Sequence, residues 1–267
     1  MPYVQVNGIQ LYYELHGPEN ADVIVLSNGV LMSTASWAYQ TMELAKHFRV
    51  LLYDCRGMWK SEHPEEVYSM ELHADDLAGL LDELQIKKAH IVGISYGSEI
   101  SMMFAIKYPN RTQSLIVADG VSQVDPLLKA FGDTWVSAAK LKNAQLLLET
   151  TKPLNFSEAY LLKNKEVLDG LVAKYEQLDF EAFVRLMNCF FDLNITSRLK
   201  EISAPTLVLV GEQDILKTRK YSDRIVGEIP NAEYVVIPGA GHAACLEKPG
   251  IFNTLILGFV HKNKEIF

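Results

Sequence analysis

Apolar runs too continuous to be half-wet strands recur along this chain: "VIVLSNG" from Val23, "FRVLLYD", "AHIVGI", "SLIVADG", "PTLVLVG" and "AEYVVIPG". A strand with one face in water alternates apolar and polar residues, whereas these runs need cover on both faces. Most of the intervals between them carry helical spacing. Strands separated by helices pair in parallel and are sandwiched by those helices, so the chain predicts an α/β architecture. Ahead of the first run, Tyr3–Val6 and Ile9–Leu15 alternate around Asn7-Gly8. A tight turn needs residues that accept positive φ, so this segment predicts an antiparallel hairpin at one sheet edge. The expected sheet has about eight strands, mostly parallel, with helices on both faces.

The helical intervals are Ser36 to His47, "SMELHADDLAGLLDELQI" with Ser69 as N-cap, Tyr96–Tyr108, Lys217–Val226 and Pro249–Phe259. One region breaks the alternation. From Val124 to Lys200 no strand is legible, and "DTWVSAAKLKNAQLLLET", "FSEAYLLK" and "DFEAFVRLMNCFFDL" read as helices. The expected organisation is a core of residues 1–123 and 201–267 with an all-helical cap, 124–200, inserted in it.

The 267 residues suit one large domain, and 49% hydrophobic composition supports a sizeable core. A net charge of −8 without any basic run argues against nucleic acid and anionic membrane as partners. The N-terminal stretch has no basic segment leading into a long apolar one, and no run approaches the ~18 apolar residues of a membrane span. Cys55, Cys189 and Cys245 are odd in number and form no Cys/His ligand pattern. Neither a disulfide scaffold nor a metal site is expected, and a reducing, cytoplasmic setting fits best.

Within "HIVGISYGSEIS", Ser95 stands between Gly93 and Gly97, after a strand pattern and before a helical one. Gly-x-Ser-x-Gly alone is a weak signal, with a chance of roughly one in ten in a chain of this composition. In this context it describes a nucleophile on a turn so sharp that the residues two positions away must be small. Free N–H groups at the following helix start favour a developing oxyanion. A serine hydroxyl needs a base, and the base needs an orienting acid. The chain order expected after such a turn is serine, acid, histidine. His242 in "VVIPGAGHAACLEKP" follows the last strand, and Asp214 in "LVLVGEQDILKT" follows the one before. Glu212 and Asp119 remain alternatives for the acid. The other histidines, at 16, 47, 63, 73, 90 and 261, read as surface or capping residues.

The strand order with "GISYGS", "GEQD" and "GAGH" resembles the α/β-hydrolase superfamily over nearly the whole chain, with the esterase, enol-lactonase and cofactor-free peroxidase branches most alike. "YDCRGMWKS" is similar to that family's D-x-R-G-x-G-x-S loop, and "SNGVLMSTASW" lies where its oxyanion loop lies. Two departures stand out. Asn28-Gly29-Val30 replaces the usual His-Gly-x, and Met58-Trp59 replaces x-Gly. The resemblance implies backbone donors at Val30 and Tyr96, structural roles for Asp54 and Arg56, and a cap over the site. Leu31, Met32, Trp135, Phe156, Phe190 and Phe191 are candidates for an apolar pocket, with the cap's own core as the competing place for its aromatics. The implied activity is carboxylesterase-like cleavage of a small apolar ester or thioester through an acyl-enzyme, with no cofactor. Receptor proteins, C–C hydrolases, perhydrolases and acyltransferases use the same scaffold and stay open. The sequence says nothing of oligomeric state.

Overall fold

The structure, a computed structural model, describes residues 2–264. Its eight strands are β1 Tyr3–Val6, β2 Ile9–His16, β3 Val23–Ser27, β4 Arg49–Tyr53, β5 Ala89–Ile94, β6 Thr112–Ala118, β7 Thr206–Gly211 and β8 Glu233–Ile237, in one sheet of order β1-β2-β4-β3-β5-β6-β7-β8. β1 pairs antiparallel with β2, and β2 antiparallel with β4. All later pairings are parallel. The hairpin turn forms as expected, with Asn7 and Gly8 both at positive φ.

The apolar runs serve two cores at once. Val23, Val25, Leu51, Ile91, Leu115 and Val208 point to one face, while Ile24, Leu26, Leu52, Val92, Ile116 and Leu209 point to the other. Period-two alternation sends neighbours to opposite faces, so each run must be apolar throughout. Full burial of such a side chain stabilises by about 1.5–3 kcal/mol.

A 3₁₀ turn, Thr34–Trp37, precedes helix α1, Ala38–Leu44. Then come α2 Met70–Glu83, whose N-cap Ser69 accepts from the Leu72 amide, and α3 Tyr96–Lys107. The segment between β6 and β7 holds α4 Pro126–Lys140, α5 Ala144–Asn155, α6 Glu158–Lys163, α7 Lys165–Asp169, α8 Leu171–Tyr175 and α9 Phe180–Phe191. After β7 follow α10 Arg219–Glu228, α11 Ala244–Glu247 and α12 Pro249–Lys262. The ends of the inserted segment are pinned together, with Val124 N donating to Leu193 O and Ile195 N to Ser122 O.

"DTWVSAAKLKNAQLLLET" spans parts of two helices, α4 and α5. Lys142 sits at positive φ, and the Asn143 side chain accepts from Leu146 N to start α5 afresh. An asparagine offers the backbone a local partner that competes with helix continuation. The short helices α7 and α8 had no separate signal in the sequence. Cys55, Cys189 and Cys245 are free and buried. Burial pushes the thiols of Cys55 and Cys245 well up and that of Cys189 to about 12. Among the described residues no helix is long and apolar enough to cross a membrane.

Candidate active site

Ser95 occupies the junction of β5 and α3 at φ +53°, ψ −120°. The flanking glycines make this junction possible. A Cβ on Gly93 would stand 2.1 Å from Gly97 O, and one on Gly97 would stand 2.0 Å from Ser27 O. The turn therefore fits against β3 only with hydrogen at both positions. Ser95 N donates to Ala118 O at 2.9 Å, and Ser98 Oγ donates to Gly93 O at 2.8 Å, tying the turn to β5 and β6.

His242 and Asp214 meet this serine from the loops after β8 and β7. His242 Nε2 lies 2.9 Å from Ser95 Oγ, and His242 Nδ1 lies 2.7 Å from Asp214 Oδ2. A carboxylate only accepts, so Nδ1–H donates to Asp214 and Nε2 is left to accept the serine hydroxyl. The other oxygen of Asp214, Oδ1, accepts from the amides of Leu216 and Lys217 at 2.9 and 2.8 Å, which fixes the carboxylate plane.

Among the described residues, neither alternative acid is hydrogen-bonded to His242. Glu212 Oε2 accepts from Gly239 N at 2.8 Å and braces the loop. Asp119 is fully buried and accepts from Gly211 N at 2.9 Å. Ligand-type atoms of Asp119, Asp214 and His242 lie within 4.8 Å of one another. Burial, and then the charge of Asp214, raise the Asp119 carboxyl well above its ordinary value.

Gly29 packs against the serine, since a Cβ there would lie 3.5 Å from Ser95 Cβ. That apposition brings the Asn28-Gly29-Val30 loop to Ser95. Among the described residues, no acceptor pairs with the backbone N–H of Val30 or of Tyr96. Asn28 replaces the expected histidine as a buried strut. Its amide donates to Asp54 Oδ1 at 3.0 Å and its oxygen accepts from Trp37 Nε1 at 2.7 Å. Asp54 also accepts from the amide of Thr34 at 2.9 Å. Arg56 makes two 2.8 Å bonds to the buried Asp76 carboxylate. Met58 is buried, and Trp59, at φ +43°, lies beneath the ammonium of Lys174.

Two cavities open on Ser95. The larger, about 740 Å³ including its open mouth, is lined by Leu31, Met32, Trp135, Phe156, Lys174 and His242 among others. The smaller, about 360 Å³ on the same measure, is bounded by Val30, Tyr96, Trp135, Phe190 and Lys217. Phe191 lines neither. Its ring packs where a side chain on Gly132 would be, under Lys129, because the i, i+1 step from Phe190 turns it about 100° around α9.

Several residues of the site carried no motif. Glu247 on α11 accepts from Gly241 N at 3.1 Å and Ser157 N at 3.0 Å, and its other oxygen bonds Ser157 Oγ. It clamps the His242 loop to the start of α6. Ala243 N adds a 2.8 Å bond to Asn155 O. Lys217 forms a buried ion pair with Glu99 at 3.0 Å. Glu99, a lone acid in an otherwise buried helix, was the one visible hint of it. His73 and His90 are not surface residues. Both are buried, His73 Nε2 against Tyr96 Oη at 2.8 Å and His90 Nδ1 against Ser114 Oγ at 2.7 Å. Burial holds them down to about 3 and about 4, so both stay neutral.

Comparison with known proteins agrees with this architecture. Residues 22–249 match the family model described as the alpha/beta hydrolase fold. The putative carbamate hydrolase RutD of Pantoea ananatis is 30% identical over 267 residues, covering 94% of each chain. The 3-oxoadipate enol-lactonase 1 of Acinetobacter baylyi is 27% identical, covering 95% of this chain and 94% of its own. Among solved structures, an alpha/beta hydrolase enzyme from a Medee basin deep-sea metagenome library superposes with a TM-score of 0.91 at 33% identity, covering 99% of both chains. The enol-lactonase of Burkholderia xenovorans LB400 gives a TM-score of 0.91 at 27% identity, covering 97% of this chain and all of that one.

Proposed function

Because this chain belongs to the α/β-hydrolase fold family, we propose that it is a serine hydrolase acting on a small ester or lactone. The observation that carries the reading is the unbroken hydrogen-bond chain Ser95–His242–Asp214 on a strained turn. Relatives named for carbamate and enol-lactone hydrolysis are compatible with it, since both reactions begin with attack on an acyl carbon.

In the proposed reaction, Ser95 Oγ attacks the carbonyl carbon while His242 Nε2 takes its proton. The oxyanion is held by the N–H groups of Val30 and Tyr96, each contributing on the order of 3–4 kcal/mol. Asp214 keeps the imidazole in the Nδ1–H tautomer and stabilises the imidazolium. The proton on Nε2 passes to the leaving alkoxide, and the C–O bond breaks to give an acyl-enzyme. Water then attacks with His242 as base, the proton on Nε2 passes to Ser95 Oγ as the acyl C–O bond breaks, and the carboxylic acid leaves. Protons and electron pairs balance with these side chains and water alone. Residues 124–200 serve as a cap on a core of 1–123 and 201–267, keeping bulk water from the acyl-enzyme.

A fluorophosphonate probe tests this directly. It is expected to label Ser95, located by peptide mapping, and Ser95→Ala and His242→Ala are expected to lose at least about a thousandfold in kcat/KM on p-nitrophenyl esters. Labelling at another residue, or ester turnover retained in Ser95→Ala, would refute the assignment. Binding of a small molecule without Ser95-dependent turnover would favour a receptor instead.

A further inference from the structure

Lys174 of α8 is a cation in the larger cavity with no counter-charge. Its Nζ has the Ser33 hydroxyl at 3.3 Å and the Trp59 ring centroid at 4.6 Å. Among the described residues no carboxylate lies within ion-pair distance of it. Asp54, the acid whose field reaches it, has its oxygens taken by the Asn28 side-chain amide and the Thr34 and Lys60 backbone amides. Lysines 46, 107, 129, 152, 220 and 262 all sit beside an acid. The ammonium at the smaller cavity, Lys217, is neutralised by Glu99.

An ammonium has three donors, and here one long bond to a neutral hydroxyl satisfies a single one. Burial pushes the lysine down from its ordinary value, a cost that an arriving anion would reverse. Trp59 explains how the cation is kept in place. The indole face attracts it, and the residue is held at positive φ, where the resembling loops carry glycine. Among the described residues lining this cavity, Lys174 is the one charged side chain without a partner acid, and a strained backbone at the residue beneath it points to binding.

We propose that Lys174, held over Trp59, is the docking point for a free carboxylate on the substrate, so that the preferred substrates are esters or lactones carrying a second, ionised carboxyl group. This rests on the hydrolase reading, and the two are separable by experiment. The assay uses two matched pairs: 4-nitrophenyl hydrogen adipate against 4-nitrophenyl hexanoate, and 4-acetoxybenzoate against its methyl ester. They place the carboxylate on the acyl side and on the leaving-group side. In at least one pair the acid-to-neutral ratio of kcat/KM is expected to fall at least about tenfold in Lys174→Met and severalfold in Trp59→Gly, and to recover largely in Lys174→Arg. Ratios unchanged by Lys174→Met in both pairs would overturn the proposal. Should Lys174→Met fail to fold, Lys174→Gln carries the same comparison. Calorimetric titration of Ser95→Ala with adipate separates the two readings. Binding at least about tenfold weaker in Ser95→Ala/Lys174→Met supports the docking point even if turnover proves independent of Ser95. Equal binding in the two proteins refutes it.

Discussion

Ser95 carries its φ of +53° at a cost of roughly 1–3 kcal/mol, offset by the backbone and side-chain bonds around it. The strain lifts the hydroxyl clear of β5 and aims it at His242. Gly97 tolerates no side chain, because its hydrogen faces the carbonyl of Ser27 on a central strand. Gly97→Ala would need β3 and α3 to separate by about an ångström, so destabilisation of several kcal/mol is expected. Thermal denaturation alongside an assay of the proposed ester hydrolysis checks this, and a variant with wild-type Tm and turnover would contradict it. At this scale the sequence displayed the serine with its small neighbours, and chain order pointed to Asp214 and His242. Asn28, Lys174 and Glu247 were illegible because their partners are remote: Asp54 is 26 residues from Asn28, Ser33 is 141 from Lys174, and Ser157 is 90 from Glu247. No local pattern encodes such pairs.

Elements show the same division. Strands were readable because burial on both faces demands uninterrupted apolar runs, and α2 because its apolar stripe and Ser69 cap are local. The break between α4 and α5 was hidden, since Leu141-Lys142-Asn143 does not disturb the apolar spacing on either side. The loop after β8 is set by α11 and the start of α6 rather than by its own residues. Glu247 holds Gly241 and Ser157 together, and Ala243 is bonded to Asn155. Glu247→Ala releases His242, the proposed base, from that frame. A misplacement near 1 Å can cost about a hundredfold, so kcat is expected to fall about ten- to a hundredfold, with fluorophosphonate labelling slowed in parallel. Steady-state kinetics with unchanged kcat would show that the clamp is dispensable.

Across the whole molecule, one sheet divides two cores, and each holds a neutral histidine against its wall. His73 and His90 have folded-state values of about 3 and about 4, below the ordinary 6.5. The unfolded chain therefore binds more protons, so their contribution to stability is complete above about 6.5 and is lost as pH falls. Each costs about 1.4 kcal/mol per pH unit below that point until its folded value is reached. Between pH 6.5 and 4.5 the wild type is expected to lose about 2–3 kcal/mol more than His90→Gln, measured by urea unfolding. Parallel profiles would refute the buried neutral histidine. The two-faced sheet was legible from its runs, but these burials were not, because a histidine in a helix or at a strand start has no local mark of depth. Depth also governs the three thiols. Shielded from solvent and held in the protonated form, they are poor targets for alkylating agents while the chain is folded. Their modification would thus keep time with opening of the sandwich, giving the protein a built-in clock for its own unfolding.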